Sequence, residues 1–120
     1  MSRIRRKREG CRWMKMVHAI VRPEKTADVL SALKGAGFAP VSKMSVVGRG
    51  RQRGLRSGNV VYDTIPKDNL YIASNDDDVP AITKVIIDSA RTNGGTPGDG
   101  KIFLYQIERE ITLSTGTESE

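Results

Sequence analysis

The order in which strand-like and helix-like patterns alternate leaves this chain few folds to choose from. Residues 15–22 (Lys-Met-Val-His-Ala-Ile-Val-Arg) are apolar and branched, as a strand requires. Pro23 then suits the first turn of a helix. Across 24–36, Ala27, Leu30 and Leu33 fall on one stripe with Val29 and Ala36 beside it, and Gly35 and Gly37 end the run. Val41 to Val47 reads as a second strand, and residues 48–59 as an exposed glycine-arginine loop. Val60 to Ile65 and Leu70 to Ser74 read as a third strand, interrupted at Pro66. Asp76-Asp77-Asp78 is placed to cap a second helix, whose apolar face is Val79, Ile82, Val85, Ile86 and Ala90. After a glycine-rich stretch at 93–100 comes a fourth strand, Ile102 to Ile107, with a short strand at 111–114. The order β-α-β-β-α-β predicts an α+β, ferredoxin-like antiparallel sheet with both helices on one face.

The other face is informative. In the last strand Ile102 and Leu104 oppose Phe103, Tyr105 and Ile107; in the first, Met16 and Ile20 oppose Val17, Ala19 and Val21. A solvated face would alternate with polar residues. Apolar residues on both faces, with helices enough for one, predict a homo-oligomer.

The net charge of +6 invites a nucleic-acid reading, but it is localised. Residues 1–13 carry six Lys and Arg against one Glu, so the remaining residues are nearly neutral. The arm reads as a disordered extension or an upstream start, with Met14 or Met16 as the functional first residue. The globular domain then spans 14–116 and the tail 117–120 is expected to fray. A lone cysteine, Cys11, forms no internal disulfide, which suggests the cytoplasm. No apolar run approaches the ~20 residues of a membrane span, so no membrane insertion is expected.

Several motifs carry possible chemistry. Gly95-Thr-Pro-Gly-Asp-Gly-Lys101 matches part of a Walker A loop, but Ile102 stands where the magnesium-binding hydroxyl belongs. It also runs from helix to strand, the reverse of the Walker order. Its glycines and lysine still offer amides and a cation to phosphate. Gly48-Arg-Gly-Arg-Gln-Arg-Gly54 offers a cationic loop to an anion or an acidic protein. His18 has no second histidine to form a metal or catalytic pair and reads as structural, and the acidic triplet reads as a cap rather than a metal site. An RNA-recognition motif shares the element order, yet residues 59–67 lack its aromatic third-strand signature. Nucleic acid is not an expected partner, and no motif places a base beside a nucleophile, so an enzyme is not expected.

Three blocks resemble the PII family of nitrogen-signalling proteins over about residues 14–116. Ala19-Ile-Val-Arg-Pro23 resembles the family's opening strand, and Gly48 to Gly54 the start of its T-loop. Ala90-Arg-Thr92, Gly98-Asp-Gly-Lys-Ile-Phe103 and Thr115-Gly116 resemble its closing signature. The resemblance implies a trimer that binds ATP or ADP between subunits, with Mg2+ and 2-oxoglutarate, and that docks on partners through the T-loop. By position it implies nucleotide contacts from Ser42, Gly50, Arg51, Thr92, Gly98, Asp99, Gly100 and Lys101. It implies a magnesium and effector role for Gln52 and an effector role for Lys67. Arg49, Arg51, Arg53 and Arg56 would form the partner-binding loop.

Three departures shape the expectation. The loop between Gly54 and Pro66 is short and has no tyrosine at its tip, so uridylylation there is not expected. A short loop followed by Tyr62-Asp-Thr-Ile-Pro-Lys67 resembles the subgroup encoded among nitrogenase genes, implying inhibition of nitrogenase together with a second PII-type subunit. The alternative is an ordinary PII regulator of glutamine synthetase or of an ammonium transporter. Thr112 and Ser114 stand where the family carries phosphate-binding arginines; each lost charged hydrogen bond costs about 1.5–3 kcal/mol, which predicts weaker ATP binding. The loop at Asn93 to Pro97 is longer than in the family.

Overall fold

The computed structural model describes residues 13–38, 40–49, 55–57, 60–62 and 64–118, with side chains for 13–38, 40–45 and 66–118. The basic arm at 1–12 lies outside the described residues. Strand β1 (Met14–Val21) leads through Arg22 into helix α1 (Pro23–Gly35). Pro23 occupies the first turn, where a missing N–H costs nothing, and Glu24 and Lys34 complement the helix dipole at either end. The helix closes on a Schellman turn. Gly37, at φ 93°, donates to the Lys34 carbonyl at 3.0 Å, and Phe38 donates to Leu33 at 2.8 Å. The buried stripe is Thr26, Val29 and Leu33, with Leu30 packed against it. Ala27 and Ala36, expected on or beside that stripe, are exposed. The stripe is centred one residue earlier than the aliphatic pattern suggests, because Thr26 is drawn inward by a hydrogen bond to Asp68.

Strand β2 (Ser42–Arg49) precedes a small hairpin that pairs β3 (Leu55–Ser57), inside the segment expected as an exposed loop, with β4 (Val60–Tyr62), the first residues of the expected third strand. Strand β5 (Thr64–Asn75) is continuous through Pro66, where a break was expected. Its pairing with β1 stops at Asp68, so Pro66 has only β2 beside it and its absent N–H removes no bond to β1. The acidic triplet forms a 3-10 turn, Asp76–Asp78, and makes no side-chain cap. Lys15 takes Asp76 at 2.8 Å, and Pro80 provides no N–H for a cap to reach. Helix α2 (Val79–Ala90) buries Val79, Ile82, Ile86 and Ala90, as its periodicity requires. Strand β6 (Gly100–Ile107) follows, and then a hairpin of β7 (Ile111–Thr112) and β8 (Thr117–Glu118). Residues 117 and 118, expected to fray, pair in this hairpin, where Arg109 holds Glu118 at 2.8 Å.

The main sheet is antiparallel in the order β2-β5-β1-β6, the ferredoxin-like arrangement. Both helices lie over the face carrying Val17, Ala19, Val21, Leu70 and Ile72, and these residues form one core with α1 and α2. The opposite face carries Met16, His18, Met44, Tyr71, Phe103 and Tyr105, by register. Phe103 and Tyr105 are 42% and 46% exposed there. His18 is held among them. Its Nδ1 lies 2.7 Å from the Tyr105 hydroxyl and its Nε2 2.5 Å from Asn69 Oδ1, and its ring stacks on Tyr71 at 4.4 Å. The tautomer protonated at Nε2 satisfies both contacts, so His18 is a structural histidine.

A buried polar clasp joins α1 to this sheet. Asp68 accepts from Thr26 Oγ1 at 2.5 Å and Ser45 Oγ at 2.8 Å, with Lys43 Nζ at 4.0 Å. The Thr26 hydroxyl, helped by Ser45 and Lys43 and opposed by burial, holds the Asp68 carboxyl below its ordinary value of 3.8. A carboxyl depressed in the folded state stabilises the fold fully above its unfolded pKa and loses that contribution as pH falls through the folded one. The contribution of Asp68 is therefore expected to be complete at neutral pH and to be lost as pH falls through the acid range below its ordinary value. Asp68→Asn should remove about 1–3 kcal/mol at neutral pH and flatten the acid limb, measured by denaturant titration between pH 3 and 7.

Candidate functional site

The end of β1, the start of β5, the last residues of β2 and the start of β6 all lie at one end of the sheet, by register. The segment 92–99 between α2 and β6 crosses that end. It is organised around one carboxylate. Asp99 Oδ1 accepts from the Thr92 hydroxyl at 2.7 Å and from Arg22 Nε at 3.1 Å. Asp99 Oδ2 accepts from the backbone N–H of Thr92 at 3.1 Å and of Thr96 at 2.8 Å. These donors, the Thr92 hydroxyl foremost, hold the Asp99 carboxyl far below the usual carboxylate range. Arg91 caps the loop by donating to the Gly94 carbonyl.

Two glycines are required by contact. Gly100 has φ 125°, and a Cβ there would lie 1.8 Å from the Ile20 carbonyl oxygen. Gly98 has φ 97°, and a Cβ would lie 2.9 Å from Arg22 Nη2. Among the described residues the Gly98 N–H donates to no protein group, while the Gly98 carbonyl accepts from Lys67 Nζ at 2.5 Å. Lys101 is exposed beside the loop. A cavity of about 260 Å³ adjoins it, with Ile86, Ala90 and Ile102 as apolar walls and Arg91 and Lys101 at the rim.

Thr92, Gly98, Asp99, Gly100, Lys101 and Lys67 are thus brought together. Asp99 meets four protein donors and so shapes the loop rather than presenting free charge. Ser42 is not brought to them. It pairs with Tyr71 while Arg49 pairs with Thr64, so Ser42 stands seven residues, about 23 Å, from the Arg49 end of β2. Gly50, Arg51, Gln52 and Arg53 lie outside the described residues. Arg49 ends β2 and Arg56 lies in β3, with the backbone alone described at both. Arg22, Thr96 and the Asp68 clasp were not singled out from sequence. Their signal is weak: a cation between strand and helix, and hydroxyls that become informative only once their carboxylate partners are known. Among the described residues no cluster of His, Cys, Asp and Glu could hold a metal, and no helix is long and apolar enough to cross a membrane.

An antiparallel βαββαβ sheet with glycine backbone and cations gathered at one end defines a ferredoxin-like α+β domain. Residues 14–117 match the profile of the family described as Nitrogen regulatory protein P-II, and the chain belongs to that family. It is a signal regulator, not an enzyme. Among its relatives, the "Nitrogen fixation nifHD region GlnB-like protein 1" of Methanothermococcus thermolithotrophicus is 47% identical over 103 residues, covering 86% of this chain and 96% of the relative. The protein of the same description from Methanothermobacter marburgensis is 44% identical over 105 residues, covering 88% and 98%. The crystal structure of Arabidopsis thaliana PII bound to citrate superposes with a TM-score of 0.70 at 31% identity, covering 89% of this chain and 86% of that one.

Proposed function

We propose that this chain is a cytoplasmic, trimeric sensor of adenine nucleotide and 2-oxoglutarate that governs nitrogen fixation, most directly by inhibiting nitrogenase through its arginine loop. The observation that carries the reading is the convergence of an open Gly98 amide, Lys101 and Lys67 at the sheet end from which the 48–60 segment departs. These groups suit a phosphate chain: backbone donors and cations face it, and the nearby carboxylate is already neutralised by Arg22 and by internal donors. Lys101 would pair with phosphate oxygens, and the apolar cavity beside it offers cover to the rest of the nucleotide. Mg2+, held by the phosphates and Gln52, would supply a charge that draws in a carboxylate effector, and Lys67 would take the effector's other carboxylate. The relatives' description by a nitrogen-fixation gene region supports the choice of pathway.

The open aromatic face supports self-assembly, and the distance of Ser42 from the loop supports a site completed by a neighbouring subunit, of this chain or of a second PII-type chain. Ligands act by binding one shape of the arginine loop better than another. Calorimetry tests the reading. Saturating Mg-ATP should confer 2-oxoglutarate binding, and Lys67→Ala should abolish it; if wild-type protein in Mg-ATP ignores 2-oxoglutarate, the roles given to Gln52 and Lys67 are wrong.

A further inference from the structure

Resting on that nucleotide reading, we propose that Arg22 is the positioning residue of the phosphate-accepting loop, setting its backbone without itself touching the nucleotide. Arg22 sits between β1 and α1, with extended backbone at φ −66° and ψ 138°. Its main chain is held at the helix start, where its carbonyl accepts from Lys25 N at 2.9 Å. From this fixed base the guanidinium reaches the loop twice. Nε donates to Asp99 Oδ1 at 3.1 Å, and Nη2 donates to the Pro97 carbonyl at 3.0 Å. The Gly98 backbone lies against the same group, close enough that a Cβ would be 2.9 Å from Nη2.

Arg22 therefore grips both neighbours of Gly98 and supports Gly98 itself. The remaining bonds of Asp99 run to Thr92 and Thr96, inside the loop, and shape it without fixing it to the sheet. Lys67 reaches the Gly98 carbonyl from β5, but the reading above assigns that ammonium to the effector, so its grip is given up when the effector arrives. Arg22 remains as the side chain that ties the loop to β1 in both states. Its charge is met by Asp99 and its donors are directed at protein acceptors, which distinguishes it from Lys101. A planar fork can serve two acceptors in different directions from one position, whereas an ammonium on a flexible stem cannot hold both in register.

The experiment compares full-length wild type, Arg22→Met and Arg22→Lys by ADP calorimetry, with amide hydrogen exchange at Gly95 and Asp99, whose N–H groups bond to Thr92 and Thr96 carbonyls. Positioning predicts that both variants lose about tenfold or more in ADP affinity and exchange these amides faster by a similar factor, with oligomeric state unchanged. Arg22→Lys is the decisive variant, since it keeps the charge and loses the fork. Wild-type affinity in Arg22→Lys would mean that charge alone matters and would overturn the proposal, as would wild-type affinity in Arg22→Met. Weakened binding with unchanged exchange would overturn it too, by placing Arg22 on the ligand. Wild-type protein that binds no ADP would instead overturn the nucleotide reading itself.

Discussion

Gly100→Ala is expected to cost more than about 4 kcal/mol and to leave little folded protein at 37 °C. The added Cβ would stand 1.8 Å from the Ile20 carbonyl oxygen, less than any non-bonded contact allows. Backbone, not a flexible side chain, is the obstacle, and it belongs to β1, which pairs on its other side with β5. Either the β1–β6 ladder opens at the Val21–Gly100 pair or the sheet shifts as a unit. The φ of 125° adds strain for any residue with a Cβ. Gly98→Ala is the control. Its φ of 97° is also unfavourable, but the atom it would meet is the tip of Arg22, which can swing away. Thermal melting should separate them: Gly98→Ala folds with a lowered midpoint, while Gly100→Ala shows no cooperative transition or one lowered by tens of degrees. A Gly100→Ala protein that melts like wild type would show that the close approach to Ile20 is not maintained in solution.

Phe103→Asp is expected to convert the assembled protein to a monomer that still folds. Phe103 faces away from the helices and is 42% exposed in the single chain, so it contributes little to the core formed by Leu33, Leu70, Ile82 and Ile86. In a trimer packed through this face the same position would be buried among aromatic side chains, and a carboxylate placed there would lose its hydration, at a cost of several kcal/mol. Light scattering should read the mass of one chain, circular dichroism should remain that of the folded domain, and nucleotide affinity should fall because the shared sites are lost. A variant that stays trimeric would move the interface elsewhere.

The periodicities made the framework legible. The buried positions of α2 are those its pattern names, and the strand order follows from the alternation of elements. What was not legible depends on partners distant in sequence. Pro66 reads as a break until β1 is seen to end beside Asp68. Ala27 reads as core until Thr26 is seen to reach across to a carboxylate on β5. The acidic triplet reads as a cap, but Lys15, from the other end of the chain, takes its first member. At the site, the glycines and Lys101 stood out by residue type, whereas Lys67 was indicated only by its position in the family resemblance. The inward role of Asp99 was not, since a carboxylate among glycines declares neither which donors it meets nor how many. Arg22 escaped for a related reason: its significance lies in the direction of its fork, which only the closed loop defines.

The separation of Ser42 from Arg49 along β2 bears on how mixtures of subunits would behave. If each nucleotide sits against the Gly98 loop of one chain and the Ser42 edge of the next, a single impaired chain spoils its own pocket and helps spoil its neighbour's. Damage in a mixed ring then exceeds the fraction of damaged chains, and a co-expressed defective copy would act dominantly. Under the same condition, a second, related subunit would retune this chain's response simply by standing beside it.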